Sequence, residues 1–318
     1  MNSYRFNYII TIHNKEELIE QVINSIIKCC GSNSYIYPVL DGCSDNSERI
    51  IDNLMEISNI PIIKIYAENV HELLSINKGL GEASQNGKGF NILLQDDVVL
   101  NDFEIESKVV KIYEHLGYES IGVLAFRHGV NVTLLEDTKE LENIDIIESW
   151  YGHGIVDSIL PPGHIVKRMV GVRSPECISF FAINKIGFMD EKLAPYTYDN
   201  HDFSIRCLQN GLENYVFSIN YISDLKWGGM RTNPHSEAQK IMLRNRKYLY
   251  EKHKFFLESF DFDSYSPIKL KPFTIPHIEI PQYGNISLRI ATLKFRKKLK
   301  FTFQLFKIIF FKIKNINK

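Results

Sequence analysis

The stretch Ile92-Leu93-Leu94-Gln95-Asp96-Asp97-Val98-Val99-Leu100 carries an apolar strand straight into two adjacent carboxylates. A buried strand is a rigid platform, and in open α/β sheets ligands bind in the crevice beyond the carboxyl ends of the strands. Neighbouring acids repel and resist ionising together, so they are best tolerated where a divalent cation or a cationic ligand neutralises them. A solvated acidic turn is the plain alternative, and the surrounding chain breaks the tie.

On both sides of this stretch, short apolar runs alternate with helical patterns. Strands are expected at 8–12, 35–40, 61–66, 90–94 and 121–126, and helices at 16–29, 47–57, 70–84 and 102–116. Strands separated by helices of about 10–15 residues predict right-handed βαβ crossovers and a parallel sheet covered on both faces. Between residues 127 and 171 the periodicity fades, and Gly152, Gly154, Pro161, Pro162 and Gly163 predict a long loop or insertion. Order resumes with a strand at 178–183, a short helix at 184–187, a helix at 199–210 stopped by Gly211, a strand at 215–219 and a long helix at 235–253.

The 318 residues, 44% hydrophobic and 24% charged, fit one large domain or one domain with appendages. A net charge of -1 points to no polyanionic partner, but its distribution is uneven. Residues 281–318 hold ten Lys or Arg and no Asp or Glu, which leaves 27 basic against 38 acidic residues, a net of -11, in the rest. Such a tail is expected to meet an anionic surface. The five cysteines, Cys29, Cys30, Cys43, Cys177 and Cys207, show no C-x-x-C spacing, so reduced thiols in a cytoplasmic compartment are expected. No signal-peptide core and no run of about 18 apolar residues is visible.

Parallel strands end on one edge, so Thr11-Ile12-His13-Asn14, Asp41-Gly42-Cys43-Ser44-Asp45 and Gln95-Asp96-Asp97 are expected to converge. Asp41 can accept a hydrogen bond from a base or ribose, Gly42 permits close backbone approach, and Asp45 or Ser47 can cap the next helix. Asn77-Lys78-Gly79-Leu80-Gly81 interrupts a helical pattern where a base or ribose contact would be useful, but its glycines do not form a dinucleotide fingerprint.

These four slots, in this order, resemble the family-2 glycosyltransferases of GT-A fold. The resemblance returns at Ile186-Gly187-Phe188-Met189-Asp190-Glu191 and at Tyr198-Asp199-Asn200-His201-Asp202-Phe203-Ser204-Ile205-Arg206, where the family has a Glu-Asp-x-Asp-Leu-x-x-Arg helix. It implies a Rossmann-like, mostly parallel sheet flanked by helices, and transfer of a single sugar from a nucleotide-sugar donor with inversion. Thr11, His13, Asn14, Asp41, Asn77 and Asp96 are then expected to bind the donor, with Arg231 on the diphosphate, and Trp227 to stack on an acceptor sugar. Asp97, and His235 further on, would hold a divalent cation, Mn²⁺ or Mg²⁺. The chain departs from the family at Gln95, where many members have Asp, and at Asn200, which holds the usual base position and cannot abstract a proton. Asp199 is therefore the expected base, with Asp202 as its alternative. A Gln-x-x-Arg-Trp motif of processive members is absent.

The tail can form a helix whose stripe of Leu299, Phe303, Phe306, Phe310 and Ile313 is flanked by Arg296, Lys300, Lys307 and Lys314. Such a helix suits a membrane interface, and a terminal helix packed on the protein is the alternative. The expected organisation is a transferase domain over 1–260, with a nucleotide-sugar half at 1–126 and an acceptor half at 127–260, followed by a helical basic extension over 261–318. The expected protein is a cytoplasmic transferase, peripheral on the inner face of a membrane, that uses a glycan or lipid-linked acceptor in surface polysaccharide or glycolipid synthesis. No nucleic acid is expected. The competing class is a sugar-nucleotide or glycan binder that lost its base. A nucleotidyltransferase is less favoured, because no Gly-rich loop follows the first strand.

Overall fold

The computed structural model describes residues 4–83, 85–149, 158–223, 236–265 and 271–280. The first third alternates as the periodicity predicts: β1 (Arg5–Ile12), α1 (Ile19–Cys29), β2 (Ser34–Asp41), α2 (Ser47–Ile57), β3 (Ile65–Ala67), α3 (His71–Glu82), β4 (Gly89–Gln95), β5 (Val99–Leu100), α4 (Ile105–Leu116) and β6 (Ile121–Ala125). There follow β7 (His128–Leu135), β8 (Glu140–Ser149), β9 (Ser158–Leu160), β10 (His164–Lys167), β11 (Val170–Val172), β12 (Glu176–Ser179), α5 (Phe180–Ile186), α6 (Asp199–Gln209), β13 (Glu213–Phe217), β14 (Tyr221–Ile222), α7 (Ser236–Glu258) and β15 (Phe273–Thr274).

Nine strands form the central sheet in the order β15-β10-β13-β6-β12-β4-β1-β2-β3. β1, β2, β3 and β4 pair in parallel, and β12 runs antiparallel to both β4 and β6, so β6 and its parallel neighbour β13 keep the common direction. Only β12 and β10 oppose it, which makes the sheet mostly parallel. Both faces are covered, as a parallel sheet requires. Phe6, Tyr8, Ile10 and Ile12 of β1 pack with Val22 and Ile26 of α1, Ile51 of α2 and Val109 of α4. Ile9 faces the other way, toward Leu73, Ile76 and Leu80 of α3, with Phe203 of α6 and Leu249 of α7 in the same layer. Burying each such side chain is worth roughly 1.5–3 kcal/mol.

Three elements differ from the sequence expectation. The segment at 127–171, expected as a long loop or insertion, carries strands among its described residues: β7, β8, β9 and β11 make a second, four-stranded sheet in the order β11-β7-β8-β9. The strand expected at 178–183 ends at Ser179, whose side chain accepts from Ala182 N at 3.1 Å and starts α5. α3 runs through Asn77-Lys78-Gly79 without interruption. Gly79 is needed there for packing, because a Cβ would lie 2.5 Å from Ile9 Cγ2 and 3.0 Å from Val39 Cγ2. The body also continues past residue 260: Tyr265 is buried, and β15 extends the central sheet through β10. Among the described residues no helix is long and apolar enough to cross a membrane. The five cysteines are all free. The helix expected from the basic tail lies outside the described residues.

Candidate active site

The carboxyl ends of β1, β2 and β4 open into a cavity of about 1070 Å³, closed on its far side by the segment leading into α6. Such a volume is ample for one dinucleotide-sized ligand, since small-molecule sites span roughly 300–1,000 Å³. Thr11, His13, Asn14, Asp41, Asp96, Asp97 and Asp199 all line it, so the expected convergence of strand ends is present.

The rim is tied together by its own polar groups. His13 donates from Nδ1 to the Asp41 carbonyl oxygen at 2.6 Å, and its backbone N–H donates to Asp96 Oδ2 at 3.1 Å. Asn14, at φ 51°, accepts through Oδ1 from Ser44 N at 2.8 Å. Asp41 accepts from Val70 N at 2.7 Å and from His71 N at 2.8 Å, which satisfies the orphan donors where α3 begins. Gly42, at φ 62°, makes that junction possible, because a Cβ would lie 2.7 Å from Asn69 Cβ. Asp45 accepts from Ser47 N at 3.0 Å as α2 starts.

The acidic pair has two distinct environments. Asp96 sits 3.4 Å from Lys15 Nζ, and burial pushes its carboxyl up to about 6 against the pull of Lys15 and the His13 N–H, with Asp97 adding to the rise. Asp97 is buried at the cavity floor, with 2% of its surface exposed. The Gln95 amide donates to Glu72 Oε1 at 2.6 Å.

From Glu72 the polar chain runs on to the opposite wall. Arg173, between β11 and β12, lies with Nε 3.4 Å from Glu72 Oε1 and a terminal nitrogen 2.5 Å from Asp199 Oδ2. The guanidinium is held protonated more firmly than usual: burial opposes its charge, but Asp199, Glu72 and Glu176 outweigh that cost. Glu176 is fully buried and accepts from Asn200 Nδ2 through both oxygens, at 3.0 and 2.8 Å. Burial raises its carboxyl to about 7, a rise that Arg173 and the Asn200 amide restrain and that Asp199 and Glu72 increase.

Aromatic rings line the side nearest α6. Tyr196, Tyr198, His71 and His201 border the cavity, with His71 edge-on to Tyr196 at 6.3 Å and Tyr198 4.6 Å from His201 between ring centres. His201 is neutral, because burial lowers its imidazole to about 4. His71, Thr197 and Tyr198 adopt φ values of 67°, 74° and 65°, a conformation that costs of order 1–3 kcal/mol per non-glycine residue and tends to cluster at functional sites. Asn245 of α7 holds this segment: its amide donates to the carbonyls of Leu193, Tyr196 and Thr197 at 2.9, 3.0 and 3.0 Å.

Two expected site residues do other work. Asp202 is fully buried away from the cavity, between the cations Arg206 (Nε at 2.7 Å) and Lys252 (Nζ at 2.6 Å), and is hydrogen-bonded to His253 Nε2 at 2.8 Å. The His253 hydrogen bond and the Arg206 and Lys252 charges overcome burial and hold its carboxyl far below the usual range, so it joins α6 to α7 and is no alternative base. Asn77 pairs both ways with the Met189 backbone, at 2.9 and 3.0 Å, and does not line the cavity. It is a cross-link between α3 and the turn before α6. Trp227, Arg231 and His235 lie outside the described residues. Sequence reasoning missed Lys15, Glu72, Arg173, Glu176, Tyr196 and Tyr198. The positive charge at Lys15, directly after Asn14, was a legible signal. Arg173 and Glu176 carried none, because only the sheet brings them to α6.

The cavity lining holds eight carboxylates against Lys15 and Arg173. A phosphorylated ligand would enter this field only with added positive charge, and adjacent Asp96 and Asp97 suit a divalent ion that completes its shell with waters and phosphate oxygens. Among the described residues no cluster of three or more His, Cys, Asp or Glu is arranged as a metal cage.

Residues 8–163 match the sequence profile of glycosyl transferase family 2. The structure of S. aureus TarS 1-349 in complex with UDP-GlcNAc shares this fold, with a TM-score of 0.52 at 15% identity over 74% of this chain and 64% of that one. A longer S. aureus TarS structure is 16% identical, with a TM-score of 0.47, over 70% of this chain and 37% of that one. This chain thus spans less than two thirds of the length of either TarS chain. No curated protein sequence matches.

Proposed function

Since the chain belongs, over residues 8–163, to glycosyl transferase family 2 and has a GT-A fold, we propose that it moves one sugar from a nucleoside-diphosphate sugar to an acceptor hydroxyl with inversion. The observation that carries this is the acidic cavity at the ends of β1, β2 and β4, with Asp97 at its floor and Asp199 across from it. Thr11, His13, Asn14 and Asp41 form the wall for the nucleoside, and Asp96 with Asp97 would hold a divalent cation. That cation would supply the positive charge that stabilises the departing diphosphate.

Asp199 is the proposed base. Arg173 engages its Oδ2, which leaves Oδ1 to take the proton of the acceptor hydroxyl as the new C–O bond forms and the anomeric C–O bond to the diphosphate breaks. Tyr196, Tyr198 and neutral His201 offer ring faces for the acceptor sugar, whose apolar C–H surface packs on aromatics without competing for cations. The UDP-GlcNAc complex of TarS supports a uridine nucleotide sugar as the first donor to try. The proposed acceptor is a glycan or a lipid-linked glycan, in surface polysaccharide or glycolipid synthesis, and the basic tail of residues 281–318 supports the lipid-linked choice.

The decisive experiment is donor turnover by the full chain with a panel of nucleotide sugars, with and without Mn²⁺ or Mg²⁺. Metal-dependent release of nucleoside diphosphate that Asp97→Ala abolishes is the expected result. Saturable donor binding with no release under any condition would instead identify a binder, and release of pyrophosphate a nucleotidyltransferase.

A further inference from the structure

At Gln95 and Asn200 the chain carries amides where the family pattern has acids, and both amides occupy positions where a carboxylate would be electrostatically intolerable. We propose that Gln95, Asn200, Arg173 and Glu176 form a matched charge set that positions Asp199, so that restoring either family acid lowers turnover. This builds on the assignment of Asp199 as base.

Arg173 is the reason. Its single buried positive charge already serves three carboxyl groups, those of Asp199, Glu72 and Glu176. Gln95 binds Glu72 as a donor, at 2.6 Å. An Asp at 95 has no proton to donate, and it would either push Glu72 off or draw Arg173 toward the new charge and away from Asp199. Asn200 binds Glu176 as a donor to both oxygens, at 3.0 and 2.8 Å. An Asp at 200 would face a second carboxylate at hydrogen-bond distance with no water to screen the pair, since Glu176 has no exposed surface. Gln95 joins Arg173 through Glu72, and Asn200 acts on the same cation through Glu176, whose charge Arg173 also serves, so both departures bear on the group that holds Asp199. They are mutually consistent replacements, and neither is an isolated lesion. Gln95 is further fixed by its backbone N–H on Ser174 Oγ at 2.9 Å, next to Arg173 in sequence.

Gln95, Asn200, Arg173 and Glu176 are positioning residues: they act on the reaction through Asp199. The test compares full-length wild type, Gln95→Asp, Asn200→Asp and the charge-swapped double variant Asn200→Asp/Glu176→Gln by thermal unfolding and by steady-state transfer. Asn200→Asp alone is expected to lower the melting temperature by about 5 °C and kcat by about tenfold or more with little change in donor KM. The double variant restores an amide-to-carboxylate pair and is expected to recover most of both losses. Gln95→Asp should lower kcat likewise. An Asn200→Asp or Gln95→Asp protein that is as stable as wild type and faster would overturn the proposal, and so would a double variant no better than Asn200→Asp. Should wild type turn over no donor, the transferase assignment fails separately. The unfolding measurements then still decide whether the four side chains form a matched set.

Discussion

Replacing Glu176 by Gln isolates one buried charge and makes the stability of the protein report it. In the folded state burial raises this carboxyl from 4.5 to about 7. At roughly 1.4 kcal/mol per pH unit, that difference is worth about 3 kcal/mol. The folded protein binds the proton more tightly than the unfolded chain, so the contribution is complete below pH 4.5 and is lost as pH rises through 7. Wild-type unfolding free energy should therefore fall by about 3 kcal/mol between pH 5 and pH 8 from this group alone. Gln carries no titrating proton in either state, and its oxygen can still accept from the Asn200 amide. The difference between wild type and Glu176→Gln, measured by urea denaturation at half-unit pH steps, should thus shift by about 3 kcal/mol across that window in favour of the variant at high pH. Parallel pH profiles for the two proteins would refute the reasoning, because they would mean that Glu176 titrates alike folded and unfolded.

Two further outcomes follow from other parts of the molecule. Asp202→Asn leaves Arg206, Lys252 and His253 around a neutral amide; a loss of about 3–5 kcal/mol in chemical denaturation is expected, and a stability within 1 kcal/mol of wild type would show that the cluster is not a structural tie. Removing residues 290–318 should abolish sedimentation with anionic phospholipid vesicles and leave donor hydrolysis intact. Unchanged sedimentation would end the membrane role of the tail.

Much of the fold was legible because its signals are local. The alternation of apolar runs and helical patterns through residue 126 needs only nearest neighbours, and it placed Thr11, Asp41 and Asp97 on one sheet edge before any contact was known. The second sheet was legible too, in Val130, Val132 and Leu134 alternating with polar residues along β7, but the Gly and Pro residues further on masked it. Asp199 and Asp202 could not be separated in the same way. They stand three apart on one helix, and which of them meets the cavity depends on α7, whose Lys252 and His253 claim Asp202 from about 50 residues away in sequence.

The site's electrostatics belong to the tertiary structure alone. The stretch Gln95-Asp96-Asp97 reads from sequence as an incomplete acidic motif, and Asn200 as a lost base. Only the fold brings Glu72 from α3, Arg173 from the turn before β12 and Glu176 from β12 itself against those amides, and in that company an acid at either place would have no charge left to balance it. Sequence determines which groups stand at a strand end. The sheet order and the helices packed across it determine how many charges share one buried cation, because Coulomb energy depends on distance in space and on exclusion of water, and neither is written along the chain.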